Sequence, residues 1–358
     1  MCKTYNTIGS LTTLKSNLIQ NNIHDFKSLK EVIDFQKSYS ILRQQLITHH
    51  ENLIEQEKKI LDIDLPNLDT TIATQRQQST ERLTNEIDML KQKLHITTNS
   101  TQKNIFHKVI SSLKQRNYKR VIKHKETHFD SKVNAAVSQL ITNYQVKTNR
   151  YQFITAHFND AVKQSAQNSL YELERKKSVI GALNNYIYGA LGEQKVVKTL
   201  ESLSDDYFLI NDFSVTFSPA IYNRRENEYI KSVQIDHILV SPSGIFIIET
   251  KNWSEKSLEN LSLRSPVDQI KRANFVLFYL LNNEKSNYHL HLNSHHWGDK
   301  KIPIKNLIVL INTKPQEEFQ YVKIVTVNEL LNYVNHFKPI FSSAETKRIA
   351  EMILRING

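Results

Sequence analysis

The sequence predicts a chain of two parts: an all-α N-terminal half of helices or coiled coil, then an α/β half with a central mixed sheet flanked by helices. Glycine and proline mark the division. Between Ser10 and Ile180 there is no glycine and one proline, Pro66, whereas both residue types recur from Gly181 onward. A long stretch that avoids both helix breakers is typical of long helices. The β-branched runs and turn residues after Gly181 favour strands.

Charge is distributed unevenly between the two halves. The 358 residues carry a formal net charge of +11, and residues 1–180 hold 27 Lys and Arg against 17 Asp and Glu.

The single cysteine, Cys2, excludes an internal disulfide. The longest apolar run, Phe275–Leu281, is too short to span a bilayer, and the N-terminus lacks the pattern of a secretory signal. We therefore expect a soluble, cytoplasmic protein with no membrane partner.

Helix signals divide the first half into a helical segment, 1–66, and a long helical or coiled-coil arm, 67–180. Ser28–Glu31 has the pattern of a capping box that begins a helix. Pro66 predicts that this helix breaks near residue 66. Turns are expected near 97–104 and 143–150. Apolar residues in steps of three and four predict a packing seam at Leu29, Val32, Tyr39, Leu46, Leu53 and Ile60. The pattern leaves open a plain helical bundle or an arm that also joins two chains into a homodimer.

A one-sign charge run lies within the arm. Residues 91–125 contain no Asp or Glu and ten basic residues: Lys91, Lys93, Lys103, Lys108, Lys114, Arg116, Lys119, Arg120, Lys123 and Lys125. Such runs are often solvated helix faces, but ordinary surfaces mix both signs. A long basic run attracts phosphates and releases counterions from nucleic acid. The interpretations left open are a solvated face or a nucleic-acid-binding surface; an anionic membrane is the lesser alternative.

The second half divides into a domain at 181–340 and a C-terminal helix at 341–358. The glycines of Gly181–Gly192 suggest a hinge before a helix that begins near Glu193. Strands are predicted at 207–210, 215–217, 232–240, 245–250, 304–311 and 321–325, with a turn at Ser241–Gly244 joining two of them as a hairpin. Capping boxes at Thr326–Glu329 and Ser342–Glu345 open the last two helices.

Charged residues interrupt the two hairpin strands. Asp236 lies within an apolar alternating strand, and Glu249 and Lys251 end the next one on the same face. Charges beside so apolar a run are costly unless they are paired or bind a cation. The residues therefore predict either a buried ion pair or a site in which two carboxylates hold a hard divalent ion beside a lysine.

Three motifs in this half resemble those of the NERD (nuclease-related domain) family of the PD-(D/E)xK nuclease superfamily. They are Gly189–Glu193, Gln234–His237 and Gly244–Asn252, and the resemblance covers about residues 185–335. It implies a nuclease-like α/β fold in which Asp236 and Glu249 bind Mg²⁺ or Mn²⁺ and Lys251 is the catalytic lysine. It further implies that Glu193 faces the metal and that Gln269 belongs to the site, with Arg272 nearby for phosphates.

Two functions of different class follow. The first is a metal-dependent endodeoxyribonuclease whose basic arm, through Lys114, Arg116, Lys119, Arg120 and Lys123, binds DNA or dimerises the protein; analogy suggests bacterial defence or DNA processing. The alternative is a non-catalytic nucleic-acid-binding or scaffold protein that retains the fold. A histidine-rich stretch, 289–296, is interpreted as a solvated insertion, a phosphate-contacting loop or a metal site.

Overall fold

The computed structural model of the chain describes residues 1–99, 105–253, 264–282, 301–315 and 317–357. Two compact units are present: the sheet unit, residues 1–37 with 175–358, and the arm, residues 38–174. In sequence, the arm is therefore an insertion into the sheet unit. The domain limits inferred from composition stay a prediction, but those at residues 66 and 180 do not coincide with the limits of the compact units.

Long helices make up the arm, as the absence of glycine predicted. After α1 (Gly9–Gln20), the chain forms α2 (Leu29–Asn99), α3 (Ile105–Thr127), α4 (Phe129–Ala156) and α5 (Phe158–Ala182). Within the arm, α2 runs antiparallel to α3, α4 and α5 taken in turn. The hydrogen bond from Ser111 to the Thr97 carbonyl and the ion pair of Lys125 with Glu86 show this near the far end of α2. The ion pair of Lys147 with Asp64 shows the same antiparallel arrangement near the middle of α2.

Two expectations about the arm are wrong. Pro66 does not break the first helix, because α2 continues through it, and no turn occurs at 143–150, because α4 is continuous there. Ion pairs between α2 and α4 stabilise the two helices in these regions. Arg150 of α4 binds Glu57 of α2 in a bidentate pair, at 2.8 and 2.7 Å, and Lys147 binds Asp64. Both contacts hold α2 on the N-terminal side of the proline, and the ion pair of Lys125 with Glu86 holds it on the C-terminal side.

The predicted seam is also displaced by one residue in the middle of α2. Ile54 and Leu61 are buried against Ile154 and Val162 of the returning helices. Leu53 and Ile60, predicted for the seam, are instead 41 % and 59 % exposed.

A mixed sheet forms the centre of the sheet unit, as predicted, and among the described residues it has six strands, of which the first was not predicted. Its strands are β1 (Lys3–Tyr5), β2 (Phe208–Asn223), β3 (Glu228–Ser241), β4 (Gly244–Lys251), β5 (Ile304–Leu310) and β6 (Lys323–Thr326), and they lie in that order across the sheet. β1 is parallel to β2, β2–β3–β4 are antiparallel, and β4–β5–β6 are parallel. The two strands predicted at 207–210 and 215–217 are parts of the single strand β2.

Helices cover both faces of this sheet. One face carries α6 (Asn184–Leu200) and α8 (Val327–Asn335), which pack on Phe246 and Ile248. The opposite face carries α7 (Arg264–Asn282) and α9 (Ser343–Ile356), which pack on Ile245 and Ile247. The two capping boxes predicted for the starts of α8 and α9 are present. No helix in the described part of the chain combines the length and the apolar character needed to cross a bilayer.

The hinge expected at Gly181–Gly192 is wrong, because most of that stretch lies inside α5 and α6. A break occurs only at Leu183, where one helix ends and the next begins. α6 then packs against α1 through Ile187 and Ala190, which contact Leu14 and Leu18. This packing brings the N-terminal segment of the chain beside the helix that carries Glu193.

Candidate active site

The hairpin of β3 and β4 brings the predicted strand residues together. Its tight turn pairs Ser241 with Gly244, and the register continues to the pair His237 and Ile248. Asp236 and Glu249 are the next residues of the two strands, so their side chains start from adjacent positions. The turn therefore fixes the alignment of both carboxylates.

Each of these side chains has a defined partner. Asp236 is half-buried, and its Oδ2 accepts a hydrogen bond of 2.8 Å from the Thr250 backbone N–H. Glu249 is only 3 % exposed, and its Oε1 accepts a 2.6 Å hydrogen bond from Lys251 Nζ. The predicted pairing of Glu249 and Lys251 on one face is therefore present.

Glu193 is the third carboxylate, and it comes from α6. It is buried, and both of its oxygens accept hydrogen bonds from Ser10 at the start of α1: Oε1 from the Ser10 hydroxyl and Oε2 from the Ser10 N–H, at 3.4 Å. Sequence reasoning placed Glu193 correctly on a helix but missed Ser10. No local signal could have found it, because the two residues lie 183 positions apart.

A fourth acidic side chain, Asp212, was also missed. Asp212 has a positive φ of 50° within β2, and its Oδ1 accepts a 2.6 Å hydrogen bond from Gln234 Nε2 of the neighbouring strand. An Asn-Asp pair between apolar strand residues was the available signal, since these two residue types tolerate left-handed backbone. Burial is the main cause of the raised pKa of both Asp236 and Glu193, and the negative charge of Asp212 adds to it.

Burial and mutual repulsion shift the protonation of the carboxylates. Burial, followed by the charge of Asp236, raises the pKa of Glu193 to about 7 and that of Glu249 to about 7. Burial also raises the pKa of Asp236, against the opposing effects of the Thr250 amide and of Lys251. These effects on one another show that the three carboxylates lie within electrostatic reach.

The pKa of Lys251 is also shifted. Burial alone would lower the pKa of its ammonium group, but the charge of Glu249 and the hydrogen bond to it outweigh burial, so the pKa lies above its ordinary value. Asp236 and Glu193 contribute in the same direction. The lysine therefore stays protonated among the acidic side chains.

A buried histidine adjoins this cluster. His237 is fully buried, and burial lowers the pKa of its imidazole to about 3, so the ring is neutral. Nδ1 lies 2.7 Å from Asn211 Oδ1, an acceptor, and therefore carries the ring proton. Asn211 Nδ2 in turn donates to the Asn6 carbonyl. The strand that carries Asp236 is thus connected to the N-terminal segment.

A comparison with protein families agrees with this geometry. Residues 188–311 match the family model of the nuclease-related domain, NERD. The match contains Glu193, Asp236, Glu249 and Lys251 and indicates a nuclease-related function, whereas the N-terminal part of the chain has no family match. No curated protein and no solved structure is similar enough to the chain to count as a match.

The donor set of the nuclease-related domain suits a hard divalent cation. Carboxylate oxygens are the preferred ligands of such ions, and a cation would offset the repulsion that raises the carboxylate pKa values. The contacts of Asp236 and Glu249 use one oxygen of each, which leaves the other oxygen of each carboxylate for an ion. In the described residues, however, no three Asp, Glu, His or Cys side chains stand close enough together to hold one ion as they are placed.

Two further predicted site residues lie on α7, whose Val267 and Ile270 pack into the core. Gln269 is half-buried, and no hydrogen bond joins it to the carboxylates within the described residues. Arg272 forms a bidentate ion pair with Glu228 of β3, at 3.1 and 2.9 Å. Its guanidinium is therefore engaged by a carboxylate, and phosphate binding by Arg272 stays a prediction.

In the arm, the predicted nucleic-acid-binding residues of α3 are all exposed: Lys114, Arg116, Lys119, Arg120 and Lys123. Two other members of the basic stretch are neutralised by acids just outside it, since Lys91 pairs with Glu126 at 2.8 Å and Lys125 pairs with Glu86 at 2.6 Å. Lys103 and the histidine-rich stretch at 289–296 lie outside the described residues. The basic surface is therefore concentrated on α3.

Proposed function

We propose that this chain is a metal-dependent nuclease that hydrolyses DNA phosphodiester bonds. One observation carries the proposal: within the segment that matches the nuclease-related domain, the paired strands place Asp236 beside Glu249 and its partner Lys251, and the charge of Glu193 influences the pKa values of Glu249 and Lys251. Binding alone needs no cluster of carboxylates, because negative side chains repel phosphates. A set of acids with a lysine is the arrangement that a cation-assisted phosphoryl transfer requires.

Asp236 and Glu249 would hold Mg²⁺ or Mn²⁺ through the oxygens that face away from Thr250 and Lys251, with Glu193 acting beside them. A bound cation supplies polarisation of a phosphoryl oxygen and makes water more acidic. The backbone N–H of Thr250 orients Asp236, and Ser10 orients Glu193. The chain thus contributes fixed carboxylates and restricted rotamers.

Lys251 supplies positive charge where negative charge grows on the phosphate. Its ammonium group keeps its proton because the charge of Glu249 and the hydrogen bond to it outweigh burial, with further contributions from the charges of Asp236 and Glu193. A charged donor already oriented in a partly buried site stabilises the developing charge more strongly than one in water. Loss of the ammonium group should therefore slow cleavage more than it weakens binding.

The arm would bind DNA through the exposed basic residues of α3. Binding to phosphates at this surface would concentrate substrate, since residues 181–358, which carry the candidate carboxylates, hold 20 Lys and Arg against 19 Asp and Glu. A role in bacterial defence or DNA processing is proposed by analogy with nucleases that carry such appended arms.

A second candidate function is a non-catalytic nucleic-acid-binding or scaffold protein. The observation that favours it is the arrangement of the acids, since no three potential ligands in the described residues are placed to share an ion. Under this alternative, the contacts of Glu193 with Ser10 and of Glu249 with Lys251 are only structural.

Cleavage of supercoiled plasmid and of linear duplex by purified protein distinguishes the two functions. We expect cleavage with Mg²⁺ or Mn²⁺ and none with EDTA. Lys251→Ala should lose activity, while Lys323→Ala, which alters an exposed lysine of β6, should retain it. Binding of DNA without cleavage under any of these conditions would favour the non-catalytic alternative.

A further inference from the structure

Ser10 contacts the candidate site from far outside the segment that matches the nuclease-related domain. Its hydroxyl and its backbone N–H donate to the two oxygens of Glu193, and Glu193 is 5 % exposed. A carboxylate whose two oxygens are both held has little freedom to rotate. The orientation of Glu193 is therefore set by α1.

Two glycines make this approach of α1 possible. A Cβ atom at Gly189, one turn before Glu193, would lie 2.7 Å from Ser10 Oγ. A Cβ atom at Gly9 would lie 2.7 Å from Asp212 Oδ1 and 3.0 Å from Gln234 Nε2. A larger residue at either position would force the contacted side chains, Ser10 at the first position and Asp212 and Gln234 at the second, to move.

The rest of the N-terminal segment is anchored to the same strands. β1 pairs with β2, and Asn6 and Asn211 exchange two hydrogen bonds, at 3.3 and 3.1 Å. Apolar packing of Leu14 and Leu18 holds α1 on α6. Ser10 is thus held in place by the pairing of β1 with β2 before it in the chain and by the packing of α1 on α6 after it.

We propose that Ser10 is a positioning residue of the cation site, which fixes Glu193 beside the ion that Asp236 and Glu249 would hold. This inference rests on the proposed function, because it assumes that the carboxylates bind a divalent cation. Residues that orient metal-binding side chains typically change metal affinity by about 10–100-fold when they are removed. Ser10 acts through Glu193 and makes no contact with substrate in the proposal.

Calorimetric titration of the full chain with MnCl₂ in the absence of DNA tests the inference without relying on activity. Ser10→Ala should raise the dissociation constant for Mn²⁺ by about 10–100-fold, and Ser10→Thr, which keeps a hydroxyl, should restore most of the affinity. Ser16→Ala, at an exposed position of the same helix, is the matched control and should bind as the wild type does.

A double-mutant cycle separates positioning from a general loss of structure. In a Glu193→Gln background, Ser10→Ala should change the dissociation constant by less than about twofold, because its effect passes through the carboxylate. An equal effect in both backgrounds, an unchanged affinity in Ser10→Ala, or tighter binding by Ser10→Ala would each overturn the inference. A wild type that neither binds Mn²⁺ nor cleaves DNA would instead contradict the proposed function itself.

Discussion

At the scale of single residues, the carboxylates of Glu193 and Glu249 link the site to the stability of the sheet unit. Burial and the charge of Asp236 raise both pKa values from 4.5 to about 7. The folded state therefore binds more protons than the unfolded state between about pH 4.5 and 7. The free energy of unfolding falls as the pH rises through this range, by an amount on the order of 3 kcal/mol for each group.

We accordingly predict that the melting temperature in EDTA decreases between pH 5 and pH 8, and that Mn²⁺ restores part of the loss at pH 8. A bound cation binds the ionised carboxylates and so offsets their repulsion. Thermal unfolding followed by circular dichroism at several pH values, with and without Mn²⁺, measures the effect.

The matched comparison uses amides in place of the acids. Glu193→Gln with Glu249→Gln should flatten the pH dependence in EDTA, whereas Glu226→Gln, at an exposed position of the β2–β3 turn, should leave it unchanged. Identical pH profiles for the wild type and the double variant would show that neither glutamate has a raised pKa.

Residue patterns located some members of this cluster and could not locate others. Strand alternation and the short Ser241–Gly244 turn were enough to bring Asp236 near Glu249, because hairpin register is a local property. Glu193 came from the family resemblance. Ser10 and Asp212 were missed because the first depends on packing of distant segments and the second on a left-handed backbone conformation.

At the scale of elements, the arm shows how tertiary contacts override a local signal. Pro66 usually ends a helix, at a cost of about 3 kcal/mol, yet α2 continues through it. Its side chain is exposed, so it does not obstruct the packing face. The ion pairs of Glu57 and Asp64 with the returning helix α4 lie before the proline, and the ion pair of Glu86 with Lys125 of α3 lies after it. Sequence periodicity could not reveal these long-range pairs, nor the shift that exposes Leu53 and Ile60.

The exposed basic face of α3 leads to a prediction about DNA binding. If five of its charges contact phosphate, the log–log dependence of affinity on salt should have a slope of about −4 to −5. Reversal of four of them to Glu should weaken binding at low salt by orders of magnitude and flatten that slope, while cleavage at saturating DNA survives. The four residues are Lys114, Arg116, Lys119 and Arg120. A salt titration of binding by fluorescence anisotropy measures both effects.

A charge-matched variant controls for net charge alone. It reverses four exposed basic residues of the arm outside the basic stretch: Lys59, Arg76, Lys132 and Lys163. Its slope should stay close to that of the wild type. Equal slopes for all three proteins would mean that the basic stretch is a solvated helix face and binds no phosphate.

At the scale of the whole molecule, the arm is inserted between two sequence segments that together form the sheet unit. Composition suggested an N-terminal helical half followed by a separate domain, because glycine content cannot show that residues 1–37 pack with the sheet. The exposed apolar residues of the arm bear on assembly. Leu53, Ile60 and Ile63 of α2 are 41 %, 59 % and 66 % exposed.

We propose that these side chains contribute to a homodimer, since pairing would remove their apolar surface from water. Light scattering should give a mass near twice 41.8 kDa for the wild type and a monomer for Leu53→Lys with Ile60→Lys. Gln56→Lys, at an exposed position between them, should remain dimeric. A wild-type monomer at all concentrations would show that the arm is only an intramolecular hairpin.

The most direct test of the central claim is the rate of cleavage of linear duplex DNA by Asp236→Asn in saturating Mg²⁺. Asp205→Asn, at an exposed position, serves as the control. The carboxylate cluster predicts that the Asp236 variant loses at least about 100-fold in rate, while it keeps DNA affinity and melts in EDTA at or above the wild-type temperature, because a repelling charge is removed. Cleavage by Asp236→Asn at the wild-type rate would contradict the assignment of this cluster as the active site.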